Sequence, residues 1–587
     1  MKQLMLKISA CLVLIAVSVH GAVQNGCTAD FIVVGYGSAG GILTRRLSDP
    51  DANGNFVNSV LTLEEGQNYT SDPAVVNVNI FTVTTSLNQA YQNPKYSRRY
   101  VVPLSPNIPE QVFEYGYGRM WGGSGAHDFL LAVRGGYDIY DNWAAISGDP
   151  RWLSAGLIPT FVADENYIGL TQVPAERGNG TSTSGFLTIT QFPPISLSID
   201  PFFLAVQAGT SNASPILDDF NVTGADLSIS TNQNFVIQTN APFFGDGIRQ
   251  FSPDFLNSSM VTPEGVGLGG RKLLIQSGAK VTRIIFSGTK AVGVEYIFDN
   301  NPEEVFYAFA RKKIILAAGA LSDCAILQRS GIGDPAVLTP LGIPIIVNNP
   351  LVGVGLQTHY GVIGAMLNDP VGAPYVTPGG LLWSDLSYQF PAPVVGDGLR
   401  DWQFIVVPVN ALDPKINTSL GYTAATPMIS FVAWNLRPQA VGTIIIQDTD
   451  VLNIPRVRYN LYTDGPFTTP GTDQAQAVQA FRVMNSIATA AGVTMAYPLP
   501  AHFTSDAQLY ADALASYSIT NHYSGTCNMG TSIANGVVDG QGNVFGVTNL
   551  AVGDLSIAPT SPTGNTRLAA MIIGEKVAQA NGAIIPT

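Results

Sequence analysis

Apolar residues in this chain fall into short runs that glycine, proline and polar residues separate. Phe31-Ile32-Val33-Val34 is a run of β-formers, and Gly35-Tyr36-Gly37-Ser38-Ala39-Gly40 follows it directly. Ile42 to Leu47 reads as helix, and Ser59 to Leu63 as a second strand that Glu64 closes. Together these predict a βαβ unit. Leu273 to Val294 predicts two strands about a turn at Gly288, and Lys313 to Ala317 another apolar strand. Residues 360–460 alternate apolar runs with Pro/Gly turns, which predicts an antiparallel sheet. Thr472 to Ala490, Asp506 to Leu514 and Leu568 to Ala580 read as helices. From about Pro150 to Asn240 the chain is rich in Thr, Ser, Asn and Pro and reads as loops and strands.

Composition narrows the class. Hydrophobic residues make up 46% of the 587 and charged residues 12%, which excludes a disordered chain. The 60 Gly and 38 Pro imply many turns. A net charge of −13 opposes phosphate backbones and anionic lipid, so neither nucleic acid nor a membrane surface is an expected partner. Lys2 and Lys7 precede a short apolar run, Ile8 to Val19, and Val19 and Gly21 suit cleavage after Gly21. Residues 1–21 therefore read as a signal peptide, with secretion or a secretory-pathway lumen as the destination. An uncleaved N-terminal anchor is the alternative. No later stretch predicts a membrane span. Six Asn-X-Ser/Thr sequons agree with export: Asn68, Asn179, Asn212, Asn221, Asn257 and Asn417. Cys27, Cys324 and Cys527 would remain after cleavage, too few and too scattered for a disulfide framework. One bridge is allowed, and the sequence does not choose it.

The glycine loop is the first piece of chemistry. Gly35 allows a tight turn, Gly37 lets the backbone approach a pyrophosphate, and Gly40 permits close helix–strand packing. Ser38 and Ala39 open the helix, whose unpaired N–H groups suit phosphate. Glu64, 24 residues beyond Gly40, can accept hydrogen bonds from ribose hydroxyls. The loop alone does not separate FAD from NAD.

Further segments carry a family resemblance. Gly118-Arg119-Met120-Trp121-Gly122-Gly123-Ser124-Gly125-Ala126-His127-Asp128, with Val133-Arg134-Gly135, resembles the first signature of the glucose–methanol–choline (GMC) oxidoreductases. Gly319-Ala320-Leu321-Ser322-Asp323-Cys324 through Ser330-Gly331-Ile332-Gly333 resembles the second, with Asp323 and Cys324 replacing the usual Ser/Thr and Pro. Val352-Gly353-Val354-Gly355-Leu356-Gln357-Thr358-His359 is similar to the family's next loop, with Gly355 for Asn and Thr358 for Asp; His359 is read as structural. Asn521-His522-Tyr523-Ser524-Gly525-Thr526-Cys527-Asn528-Met529-Gly530 resembles the active-site segment, and Ala551-Val552-Gly553-Asp554 the return strand. Asn565, ten residues before Glu575, stands where the family has its second active-site residue.

The resemblance implies an α/β fold. An FAD-binding, Rossmann-like domain would be assembled from the discontinuous segments 27–150, 235–350 and 515–587. An α+β substrate domain containing the antiparallel sheet would come from 151–234 and 351–514. It implies flavin nucleotide contacts from Gly122, Ser124, His127, Asp128, Phe129 and Leu131, from the Val281 backbone, and from Asp554, Asn565 and Thr566. In the choline-oxidase branch a His at the position of His127 bonds covalently to the flavin, so His127 has two readings, a covalent tether and a packing residue. Asp128 brings a negative charge that would lower the flavin potential unless paired or protonated. Cys324 is read as a small packed hydrophobe.

The implied reaction is oxidation of a small-molecule alcohol. His522 would take the hydroxyl proton, the carbon hydride would go to flavin N5, and Asn565 would hold the substrate oxygen. Two other classes stay open: an FAD-retaining lyase similar to the hydroxynitrile lyases, and a structural glycoprotein on the same fold. Oxygen and quinone are both admissible acceptors. No His/Cys/Asp cluster has metal spacing, and no G-x-S-x-G supports a hydrolase. The variable regions 150–240 and 360–500 would determine which alcohol is taken.

Overall fold

A computed structural model describes residues 25–585, apart from 80–92, 107–111, 178–184, 192–207, 210–215, 224–228, 240–245, 368–383, 387–401 and several shorter stretches between them. The expected signal peptide and the sequons Asn179 and Asn212 lie outside the described residues.

The βαβ unit forms as its pattern implies. Strand β1 (Cys27–Val34) leads through the glycine loop into helix α1 (Ser38–Ser48), and β2 (Val60–Leu63) returns parallel to β1. Ile32, Val33, Val60 and Leu63 are buried, as a central parallel strand covered on both faces requires. Three later strands follow where two were expected: β3 (Leu273–Gln276), β4 (Ala279–Ser287) and β5 (Lys290–Phe298), with Gly288 turning between β4 and β5. Strand β6 (Asn301–Leu316) is much longer than the apolar run that announced it. One edge of β6 pairs parallel with β1. Its other edge pairs antiparallel with β5, then parallel with β13 (Leu550–Val552). The sheet order is β3-β2-β1-β6-β5-β4 with β13 on β6, so segments some five hundred residues apart share one sheet.

The closing helix α3 (Arg567–Ala580) packs on α1. Gly574 makes this approach close: a Cβ there would lie 2.8 Å from the Ala39 carbonyl oxygen. Buried Arg46 of α1 donates to both Glu575 oxygens, at 2.8 and 2.9 Å, and to Asp164 at 2.8 Å. Removing one partner of such a cluster typically costs about 3–5 kcal/mol. Asp164 ends the helix Ser154–Asp164, which packs against α3. That helix thus joins the dinucleotide sheet's side, although the sequence grouped it with the substrate domain.

The second sheet is antiparallel: β8 (Ser384–Leu386), β9 (Trp402–Val407), β10 (Met428–Asn435), β7 (Tyr360–Leu367) and β11 (Met495–Tyr497), with β12 (Tyr517–Ile519) also on β7. Residues 517–519 therefore belong to this sheet, a few residues past the expected boundary at 514. Helix α2 (Asp473–Ala490) packs on β7 and β10. Its first residue, Asp473, is buried and accepts from the N–H groups of Gln439 at 3.0 Å and Ala440 at 2.9 Å.

Among the described residues no helix is long and apolar enough to cross a membrane. Cys27, Cys324 and Cys527 are all unbridged, and Cys324 is fully buried, as its reading as a packed hydrophobe requires. Two sequons are structural: Asn221 and Asn417 are buried, with Asn221 bonded to Arg134 N–H and the Ala132 carbonyl.

Candidate active site

The glycine loop shapes one wall of a cavity of about 610 Å³. Gly35 has φ +98°, and a Cβ there would lie 2.4 Å from the Ala317 carbonyl oxygen. A Cβ on Gly40 would fall 2.1 Å from the Gly35 carbonyl oxygen. Gly37 differs: the nearest atom to its Cβ position is the Gly123 Cα at 3.9 Å. Gly35 and Gly40 are therefore glycines for the protein's own packing, whereas Gly37 keeps wall space open. Gly35, Gly37, Ser38 and Ala39 line the cavity; Gly40 does not and acts through packing alone.

Glu64 lines the same cavity, but its oxygens are already engaged. Tyr36 N–H and Gly66 N–H each donate to it at 2.8 Å. It clamps the glycine loop to the end of β2 and retains lone pairs toward the cavity. Burial pushes its carboxyl up to about 7. Val281 and Asp554 are also lining residues. Asp554 accepts from Gly319 N–H at 2.6 Å, and the neighbouring Asp323 accepts from Ala318 N–H at 2.9 Å and Ser556 Oγ at 3.0 Å. Asp323, which stands where the family has Ser or Thr, thus holds the loop after β6. Burial and the Asp554 charge push Asp323 well above the usual carboxylate range.

The segment 122–131 supplies another wall. Ser124, His127, Asp128, Phe129 and Leu131 line it. Gly122 does not: it makes a left-handed turn at φ +100°, and its Cβ would strike the Phe251 ring at 2.3 Å. Its glycine is thus required by packing against Phe251. Asp128 is paired twice, with Arg249 at 2.8 Å and Arg567 at 3.3 Å. Two guanidiniums on one carboxylate answer the concern over its charge, since the cluster is net positive. Burial, and secondarily Arg249, push His127 down to about 4, so its ring is neutral near pH 7. Leu130 sits at φ +69°, a conformation that costs of order 1–3 kcal/mol and gathers at functional sites. Asp128 Oδ1 accepts the Leu130 N–H at 3.0 Å and helps hold that turn.

His522, Asn565 and Thr566 line the same cavity, with Ile405, Val432 and Trp434 of the antiparallel sheet. The two expected catalytic residues meet directly: Asn565 Nδ2 lies 3.3 Å from His522 Nε2. Gln403 on β9 donates to Asn565 Oδ1 at 3.2 Å and fixes which way the amide faces. The Trp434 ring stands edge-on to His522, centroids 6.1 Å apart. His522 Nδ1 faces Nδ1 of buried His359 at 2.8 Å. Burial, and then His359, hold His522 well below the usual imidazole range. Gln403 escaped the sequence reading, because nothing in a β-strand pattern marks a partner 162 residues away. Gly355 also has its reason: the Asn528 side chain occupies its Cβ space, with Nδ2 at 2.4 Å.

The dinucleotide that the sequence implies fits this geometry. The cavity volume is within the range of cofactor sites, and Gly37 leaves the backbone approachable. Motifs from four distant stretches converge on it.

Comparison with known proteins agrees. Two family models, both described as GMC oxidoreductase, match residues 266–361 and 438–574. An uncharacterised GMC-type oxidoreductase of Mycobacterium tuberculosis is 27% identical over 570 residues, covering 94% of this chain and 98% of its own. An oxygen-dependent choline dehydrogenase of Citrobacter koseri is 26% identical over 586 residues, covering 94% of each. The crystal structure of pyridoxine 4-oxidase from Mesorbium loti superposes with TM-score 0.75 at 24% identity, over 94% of this chain and 99% of that one, a likeness of fold. With both family models matched and the fold shared along nearly its whole length, this chain belongs to the GMC oxidoreductase family.

Proposed function

We propose that this oxidoreductase uses FAD to oxidise a small-molecule alcohol, with His522 Nε2 taking the hydroxyl proton. The observation that carries the reading is the placement of His522 and Asn565 on the same cavity that the glycine loop and Glu64 line. The 35–39 loop, Glu64, Val281 and Asp554 would hold the nucleotide. Ser124, His127, Asp128, Phe129, Leu131 and Thr566 would hold the flavin half. When bound, FAD supplies a two-electron acceptor for the hydride. The protein's own residues do the rest. His522 is neutral and its lone pair can receive a proton. The Asn565 amide can turn its N–H to the substrate oxygen without competing for that proton. Ile405, Val432 and Trp434 limit water around the pair.

The base must be unprotonated to work. Because His522 is held below its ordinary range, lowering the pH to 6.5 should leave it neutral. We expect kcat/KM to stay level through pH 6.5 and to fall only in more acid solution. An acid limb centred at or above 6.5 would contradict this.

A flavin spectrum tests the wider reading. Purified protein should show bound flavin that bleaches anaerobically with an alcohol from a panel. Bound flavin that cleaves a cyanohydrin and is bleached by no alcohol would mean a lyase. Protein that binds no flavin would mean neither. Acid precipitation then decides His127: flavin that stays with the pellet and is lost in His127→Ala marks a covalent tether, and flavin in the supernatant leaves His127 a packing residue.

A further inference from the structure

We infer that His359 is a positioning residue for the proton-abstracting His522, fixing its tautomer through the Nδ1–Nδ1 contact so that the Nε2 lone pair faces the substrate. This rests on the proposed role of His522 as base.

The argument follows hydrogen-bond direction along four side chains. Gln403 Nε2 carries only protons, so its contact with Asn565 Oδ1 at 3.2 Å makes that oxygen the acceptor. The other end of the Asn565 amide, Nδ2, is then a donor, and it lies 3.3 Å from His522 Nε2. A donor facing Nε2 requires a lone pair there. In a neutral imidazole the single proton must then be on Nδ1. That proton points at His359 Nδ1, 2.8 Å away, which must be a lone pair to accept it. His359 therefore carries its own proton on Nε2. The Pro562 backbone acts on this ring in the sense that favours a proton, although buried Nε2 makes no hydrogen bond of its own. Both imidazoles are neutral, as two facing rings in a buried place require.

The consequence is chemical. A neutral histidine with its proton on Nε2 cannot accept the substrate proton there. With the His359 proton on Nε2, an Nε2–H tautomer of His522 would leave two lone pairs facing each other at 2.8 Å; the swapped pair, with His359 donating from Nδ1, would set the His522 Nε2–H against the Asn565 N–H that Gln403 holds in place. On proton transfer, Nε2 gains the hydroxyl proton while Nδ1 keeps its own. The resulting imidazolium is held by the His359 lone pair, as an orienting acceptor behind a catalytic imidazole does in other enzymes. The geometry of the two rings, edge-on at 80° with centroids 5.0 Å apart, suits this in-plane donation from one ring to the other.

Two substitutions and one spectrum test it. His359→Leu removes the acceptor. His359→Asn keeps an oxygen where Nδ1 was. The rate of anaerobic flavin reduction should fall roughly 10- to 100-fold in His359→Leu and recover most of that loss in His359→Asn. Reoxidation of the reduced flavin should not change in either, because His522 need not accept a substrate proton in that half. Nitrogen-15 spectra of histidine-labelled protein, with His522 assigned by its loss in His522→Gln, should show the His522 proton on Nδ1 in the parent and a tautomer mixture in His359→Leu. Equal loss in the Leu and Asn variants, no loss in Leu, or an Nε2-protonated His522 in the parent would each overturn the proposal. If no alcohol bleaches the parent flavin, the proposed function fails, and the tautomer spectrum still decides the role of His359.

Discussion

His522→Ala should slow anaerobic flavin reduction about 10²–10⁴-fold, the ordinary contribution of a general base, while flavin stays bound. His522 lines the cavity, with Nε2 toward Asn565 and Nδ1 toward His359. The residues proposed to hold the nucleotide lie on other elements, around the 35–39 loop and Glu64. Truncation should therefore leave the Gly35–Gly40 turn and the Glu64 clamp in place. Asn565 would remain fixed by Gln403 and could still hold the substrate oxygen. The loss should thus appear in the limiting rate of reduction far more than in KM. A change smaller than tenfold would mean that another group takes the proton.

Gly37→Ala and Gly40→Ala should fail in opposite ways. At Gly40 the new methyl would sit 2.1 Å from the Gly35 carbonyl oxygen, so α1 must move off the loop. The expected result is a loss of roughly 1–3 kcal/mol of stability, seen as a lower denaturation midpoint even without flavin. At Gly37 the backbone is extended, with φ −75°, and no protein atom comes nearer than 3.9 Å to the new methyl. The apoprotein should be as stable as the parent. Flavin affinity should drop on the order of 10- to 100-fold, because the methyl takes the space through which the protein backbone would approach the pyrophosphate. Titration of each apoprotein with FAD and a denaturation curve separate the two. If Gly37→Ala binds flavin as well as the parent, that wall of the cavity does not face the cofactor.

The elements that could be read from the sequence were those whose signal is local. The glycine loop declares itself because strand, turn and helix follow one another within residues 27–48. Helices α2 and α3 show a helical pattern that no proline interrupts. Strand β6 was read only at its apolar end, because residues 301–307 are polar or partly exposed and pair as an outer hairpin with β5. Gly40 packs as the glycine-loop spacing implies, whereas the resemblance marks Gly122 and Ser124 alike and only the fold distinguishes them: Gly122 packs on Phe251 while Ser124 lines the wall. Asp128 looked like an uncompensated charge since its partners, Arg249 and Arg567, are 121 and 439 residues away. His359 was read as structural for the same reason: its contact with His522 spans 163 residues. Pairings set by tertiary folding leave no periodic trace, so side-chain chemistry was legible from sequence as residue types and not as pairs.

The most direct check is a crystal structure of the protein saturated with FAD. The account requires the pyrophosphate against Gly37, the isoalloxazine in the space between the 124–131 segment and Trp434, and the His522 ring over its reactive edge with Nε2 toward it. A flavin seated elsewhere, or a His522 turned away from the ring system, would contradict it.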